Sequence, residues 1–298
     1  MNCLRNHNNI ILLGLILLGL SSCSEEFDFE FEEQEALLVV EGCITNQAGP
    51  YYVRLTQSLS EVVKPDYSFS TSSPEKPVTD AVVRISDDIG NSESFRYIGK
   101  REGMYPENEG WYVVENLQGV VGRTYTLAIE WKGEIYTARD RMEAVPEIEK
   151  IDFRTKHLEA KNEDVDIPLI YFQEPQGVKN YYLMYYSADG FFGSNRNWVF
   201  SVLSDEFLEP YVDGLEVDDG QSPSGSDFYQ LISPGSEVVV YLESLSKQAY
   251  EFYSGVINQF DADGGAFSPA PASPPGNVSN GAMGLFHASA VSVKRKKR

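Results

Sequence analysis

The sequence predicts an all-β protein of two β-sandwich domains, the first immunoglobulin- or carboxypeptidase-regulatory-like and the second fibronectin-like, with one helix in the second. Three observations predict it. Short apolar or alternating runs recur at even spacing, separated by turn residues. Nothing between Ala36 and Glu143 carries a helical period. A chain of 298 residues is long enough for two domains, and Val145-Pro146-Glu147-Ile148 supplies a boundary where proline stops strand pairing. Hydrophobic residues make up 42%, enough for a substantial core and too many for global disorder.

Residues 1–22 come first, as a signal peptide. Met1 to Asn9 carries Arg5 and no acid, and Ile10 to Leu20 is apolar. A membrane-spanning helix needs about 20 apolar residues, so this run is too short for one and fits a secretory h-region. The small pair Ser21-Ser22 stands directly before Cys23. This resembles the lipobox of bacterial lipoproteins, which implies cleavage between Ser22 and Cys23 and acylation of the Cys23 thiol by diacylglycerol and palmitate-type chains. One chain holds a protein only marginally, at about 0.8 kcal/mol per buried methylene, whereas the two or three chains of a lipoprotein anchor it stably.

Residues 23–35 form an acidic tether. Ser24-Glu25-Glu26 and Phe27-Asp28-Phe29-Glu30-Phe31-Glu32-Glu33 resemble the export stretch that sends Bacteroidota lipoproteins to the outer face of the outer membrane. Loss of residues 1–22 removes Arg5 and no acid, so the net charge moves from −21 to −22. Such a balance argues against nucleic acid and anionic phosphate surfaces, and favours partners that are neutral, cationic or bridged by divalent ions.

The first sandwich spans 36–146. Ala36 to Thr45 is a strand, Asn46 to Pro50 turns it, and Tyr51 to Thr56 returns. Leu59 to Pro77 has no period and is rich in Ser and Pro, as a long loop is. Val78 to Ser86 and Ser94 to Ile98 pair across the turn Asp87-Asp88-Ile89-Gly90-Asn91. Gly110 to Glu115 follows. Gly122 to Trp131 and Glu134 to Ala138 pair across Lys132-Gly133, with Tyr125, Leu127 and Ile129 alternating with Thr124, Thr126 and Ala128.

The second sandwich spans 147–298. Its expected strands are Ile148 to Arg154, Ile167 to Phe172, Tyr181 to Ser187, Trp198 to Leu203, Phe228 to Ile232 and Glu237 to Glu243. Tyr181 to Tyr186 is apolar on both faces, which marks a central strand. The helix covers about 247–260: Ser246 can cap it, and Ala249, Tyr253, Val256 and Phe260 form one stripe. Phe267 to Asn280 is a Pro-rich crossover. Ala282 to Val293 is a last strand, and Lys294 to Arg298 a solvated basic end.

Leu38-Val39-Val40-Glu41-Gly42, Gly49 to Leu55, Ala81 to Asn91, Gly119 to Leu127, Asn180-Tyr181-Tyr182, Ser246 to Tyr250 and Ser279 to Phe286 together resemble a family of Bacteroidota lipoproteins catalogued as domain of unknown function 4249. The first half also resembles the small β-sandwich appended to carboxypeptidases and TonB-dependent receptors. The resemblance implies a lipid-anchored outer-membrane protein acting beside a TonB-dependent transporter in nutrient uptake. It assigns no catalytic residue, and the anchor cysteine alone carries over, to Cys23.

The residues themselves point the same way. Cys3 leaves with the signal and Cys23 is acylated, so Cys43 is left without a disulfide partner and reads as a buried small hydrophobe in an apolar run. His157 lies in a charged loop and His287 in an alternating strand; neither has the neighbours of a catalytic triad. No histidine or cysteine spacing suits zinc, and no metal or other cofactor is expected. Asp261-Ala262-Asp263-Gly264 lacks the third ligand and distal Glu of a calcium loop. Asp87-Asp88 and Asp218-Asp219 read as turn formers, and Trp111 and Trp131 as core. One stretch reads as an interface: Phe191, Phe192 and Trp198, an apolar cluster on a polar, Gly-rich loop. The expected function is therefore non-catalytic. A stand-alone glycan-binding or adhesion module, and an unrecognised hydrolase built on paired carboxylates, are the alternatives.

Overall fold

The structure is a computed structural model and describes residues 35–58, 76–101, 109–158, 162–190, 200–217, 232–261 and 273–298. In chain order its first nine strands are β1 (Leu38–Thr45), β2 (Tyr51–Gln57), β3 (Lys76–Pro77), β4 (Val82–Asp87), β5 (Ser92–Ser94), β6 (Arg96–Gly99), β7 (Trp111–Val114), β8 (Thr124–Trp131) and β9 (Glu134–Arg141). Then follow β10 (Lys150–Leu158), β11 (Glu163–Gln173), β12 (Tyr181–Ala188), β13 (Ser201–Ser204), β14 (Tyr211–Glu216), β15 (Glu237–Leu245), the helix α1 (Lys247–Asp261), β16 (Met283–Ser289) and β17 (Val291–Lys297). The all-β expectation is met, with a single α-helix among the described residues.

Two pairs of sheets each enclose a core in a sandwich-like arrangement. In the first pair, the sheet β16-β1-β2-β7-β6, with β3 beside β2, faces the sheet β5-β4-β8-β9. Val40, Val53, Leu55, Ile85, Leu127, Ile129 and Trp131 meet between them. These are the inward positions of the alternation read from the sequence. In the second pair β10-β11-β14 faces β13-β12-β15-β17, around Ile170, Phe172, Tyr182, Met184, Val240 and Leu242. β12 does lie between two neighbours, as its doubly apolar sequence requires.

The C-terminal strands depart from expectation. The run from Ala282 to Val293 is two strands, not one, and they join different sheets. β16 leaves the second half and pairs in parallel with β1, Val39 to Thr45 running beside Met283 to Ser289. Gly284 permits this: its φ is +96°, and a Cβ there would lie 2.0 Å from the Val40 carbonyl oxygen. The outer edge of β16 is closed by side chains. Asn277 donates to the Phe286 carbonyl at 2.6 Å and accepts from its N–H at 3.0 Å, and Asp140 accepts from the Ala288 N–H at 2.9 Å. A boundary at 146/147 thus divides the sequence but not the sheets.

The basic end is not a solvated tail. It is β17, paired along its length with β15 from Glu237↔Lys297 to Glu243↔Val291. Ser236 and the terminal residue close the pair, the Arg298 N–H donating to the Ser236 carbonyl at 3.0 Å. Local charge spacing suggested a free end; acidic partners on β10, β11 and β15 decide otherwise. The strand β14 was not expected either, because Asp213 and Gly214 interrupt its apolar pattern.

Candidate binding corner between two sheets and the helix

On β1, Leu38, Val40 and Ile44 point into the first core, which sends Glu41 and Cys43 to the opposite face. Cys43 is therefore exposed, which corrects the expectation of a buried small hydrophobe. An apolar run does not say which face a residue takes; register does. On β2 the same alternation places Arg54 on that outer face. Arg54 stands 3.5 Å from Glu41 and donates through Nε to the Glu109 carbonyl at 3.1 Å. Its guanidinium lies 5.9 Å from the Trp111 ring, and that of Arg101 lies 4.1 Å from Tyr52 and 5.6 Å from Trp111. Trp111 is buried as expected, but on this outer face rather than in the core that holds Trp131.

β16 adds its own outward residues, Leu285 and His287. The parallel register sets His287 directly beside Cys43. These two residues, far apart in sequence and unremarkable singly, are brought together by one crossover.

The second sheet supplies the facing wall. β12 and β15 pair Tyr185 with Tyr241 and Leu183 with Glu243. The Tyr185 and Tyr241 rings stack at 4.7 Å and 10°, and the Tyr185 hydroxyl donates to Glu243 Oε1 at 2.6 Å. Helix α1 roofs the junction. Ser246 caps it, accepting from the Ala249 N–H at 3.2 Å. Ala249 and Tyr253 then pack with Leu183, Phe200, Leu245 and Leu285. The Tyr253 hydroxyl reaches His287 Nδ1 at 3.4 Å.

Burial sets the electrostatics of this corner. Burial raises the Glu243 carboxyl above its ordinary range, against the opposing hydrogen bond from Tyr185. Burial drops His287 to about 4. Cys43 keeps accessible surface. Loss of solvation there, reinforced by Glu243 and opposed by Arg101, pushes its thiol up to about 12. Near neutral pH the thiol is protonated and the imidazole uncharged. This is the reverse of the thiolate–imidazolium pair that a cysteine nucleophile uses. Among the described residues no three His, Cys, Asp or Glu side chains are grouped to hold a metal ion.

A concavity of about 380 Å³ lies beside Asp87, Asn91, Glu93, Gln118 and Tyr125. Asp87 there accepts from the N–H groups of Ile89 and Asn91, as the turn reading of Asp87-Asp88 required. His157 is at the surface, 2.7 Å from Asp164. Ser22, Cys23, Phe191, Phe192, Trp198, Asp218, Asp219 and Asp263 lie outside the described residues. Glu243, Tyr185 and Tyr253 were not singled out from the sequence. The available signal was a lone Glu inside the apolar strand Val238 to Leu245, a position that an exposed strand face would explain equally well.

The model of a family described as Domain of unknown function (DUF4249) matches residues 24–295. No curated protein matches the chain.

Proposed function

This chain belongs to the DUF4249 family, and we propose that it is a non-catalytic binding lipoprotein of the outer membrane, an accessory to a TonB-dependent transporter. In this reading residues 1–22 are removed, Cys23 carries the acyl chains, the acidic tether faces outward, and the corner around Cys43 receives the ligand. One observation carries it. Among the described residues, side chains from two sheets and a helix converge where the exposed Cys43 stands beside the buried His287, thiol and imidazole both held uncharged. That arrangement supports binding over covalent chemistry. The lipobox-like Leu20-Ser21-Ser22-Cys23 and the acidic stretch after it support the address.

The test is a pull-down of the tagged full-length protein from detergent-solubilised outer membranes of its own cells. A TonB-dependent receptor is expected among the recovered proteins. Repeated recovery of none, or an unacylated N-terminal peptide in mass spectra of the native protein, would remove the accessory role.

A further inference from the structure

Two turns of the first sandwich, residues 87–91 and 119–123, are tied together by Arg123, which pairs with Asp88 at 3.4 Å. Beside them lies the concavity of about 380 Å³. That volume falls within the range of about 300–1,000 Å³ usual for ligand sites. Its described lining includes two carboxylates, Asp87 and Glu93, and no lysine or arginine. The neighbouring Arg96 and Arg123 are each paired with an acid outside the lining, Glu115 at 3.0 Å and Asp88 at 3.4 Å. The lining amides lean the same way. Asn91 Nδ2 donates to Asp87 Oδ2 at 2.7 Å, and Gln118 Nε2 donates to the Asn46 carbonyl at 2.8 Å. A carboxylate and a carbonyl only accept, so these bonds fix how each amide is turned and occupy its donor end. The lining is therefore negative and rich in acceptors. It is also held in place: Asp87 accepts from the N–H groups of Ile89 and Asn91, and the Tyr125 hydroxyl takes the Val120 N–H at 2.7 Å. On the same two turns Ile89, Val120 and Val121 are exposed. Three aliphatic side chains on adjoining turns make a small apolar patch at the border of a charged concavity.

An arginine side chain answers both features. Its guanidinium carries a fixed positive charge and a planar fork of N–H donors, which suits several acceptors at once. Its methylene stem packs on apolar surface, and arginine is enriched in protein interfaces. A neutral polyol would leave both carboxylates without a counter-charge, and a small guanidinium compound would leave the aliphatic border uncovered. We propose that the concavity receives an arginine side chain of a partner protein: the guanidinium donates to Glu93 and to the amide oxygens of Asn91 and Gln118, its methylenes lie on Val120, and the residues flanking that arginine cover Ile89 and Val121. The chain's net charge of −21 favours the approach of a basic partner. This site is separate from the corner around Cys43, and the inference depends neither on that corner nor on the membrane address.

The probes are capped tripeptides with leucine on either side of arginine, of its neutral isostere citrulline, or of lysine, and a fourth with glycine on either side of arginine. Binding to the full-length protein is read by saturation-transfer NMR on the peptide. The leucine-flanked arginine peptide is expected to saturate with half-effect in the millimolar range. The citrulline and lysine peptides should bind about tenfold more weakly, the scale of one charge-assisted hydrogen bond. Glycine flanks should cost about threefold, through lost apolar contact. Glu93→Gln, at a half-buried position of β5, should weaken the arginine peptide about tenfold, and Glu147→Gln, at an exposed acid elsewhere, should leave it unchanged. Equal binding of the citrulline or lysine peptide, or equal loss in the two variants, would mean diffuse attraction to an acidic surface and overturn the proposal. Equal binding of the glycine-flanked peptide would overturn the partner and leave a site for a small guanidinium compound. No saturation at about 50 mM, tens of times a weak ligand's millimolar Kd, would overturn it outright. If Glu93→Gln fails to fold, the comparison of the peptides on the unaltered protein still decides. A receptor recovered from membranes alongside failure here would discard the arginine site and keep the accessory reading.

Discussion

Lys296 Nζ stands 3.2 Å from Asp152 Oδ1 and donates to the Ile151 carbonyl at 3.0 Å. One side chain on β17 thereby ties the outer strand of one sheet to the outer strand of the sheet facing it. Arg298 repeats the tie one turn of the pleat further on, against Asp166 of β11. Arg295 pairs with Glu237 on the neighbouring strand β15. The basic C-terminus is a clasp on the second sandwich, built by an acidic body that offers partners on three strands.

Deleting residues 294–298 should therefore loosen the second sandwich. It removes most of β17 and exposes the edge of β15, whose Val238, Val239 and Val240 then lose their paired residues. The thermal midpoint is expected to fall by about 5 °C or more, the scale of one or two kcal/mol in a domain of this size. Differential scanning calorimetry checks it. An unchanged midpoint would mean that the clasp is ornamental.

Acid should open the same clasp. Hydrogen bonds from Lys150 and Lys296 lower the Asp152 carboxyl to about 2. Because the folded value lies below the unfolded one, this contribution is present above about pH 4 and is lost as pH falls toward 2. Asp152→Asn should flatten the stability profile in that window and leave it unchanged at neutral pH apart from the lost ion pair.

His287 gives a second and distinct pH signature. Its folded value of about 4 lies below the free imidazole's 6.5. The unfolded chain thus takes up a proton between pH 6.5 and 4 that the folded protein refuses, and stability falls as pH falls through that range. The full effect is on the order of 3 kcal/mol. Urea titrations of His287→Gln across this range should show a shallower slope than the unaltered protein. Glu243 acts in the opposite sense: its raised carboxyl costs stability as pH rises.

Gly284→Ala should be among the most damaging single changes in the chain. A methyl group would fall 2.0 Å from the Val40 carbonyl oxygen, at a φ of +96° that alanine rarely adopts. Neither backbone can retreat without breaking the β1–β16 ladder. A loss of about 3 kcal/mol is expected. Because that ladder sets Cys43 beside His287, faster modification of Cys43 should accompany the loss.

Tyr182→Phe probes the second core. The buried Glu174 accepts from the Tyr182 hydroxyl at 3.0 and 2.8 Å and from Asn180 Nδ2 at 2.7 Å. Removing the hydroxyl leaves a buried carboxyl oxygen short of a donor, at a cost of about 1–3 kcal/mol. Denaturant unfolding should show a lower midpoint at unchanged slope.

The sequence by itself determined what depends on neighbours along the chain. Alternation in Thr124 to Trp131 set a half-buried strand, the stripe Ala249, Tyr253 and Val256 set a helix, and Asp87 to Asn91 set a turn, because side-chain period and local hydrogen bonding are read within a few residues. Only the tertiary structure decided where the last strands went and what stood opposite what. A run such as Ala282 to Val293 carries no mark of the sheet that will accept it, and pairing partners 244 residues apart leave no local pattern. Cys43 became exposed, His287 became its neighbour and Glu243 became a buried acid bonded to the Tyr185 hydroxyl through the register of β1 on β16 and of β12 on β15. Register moves whole faces between core and solvent while leaving every local propensity satisfied, which is why the corner was invisible until the strands were paired.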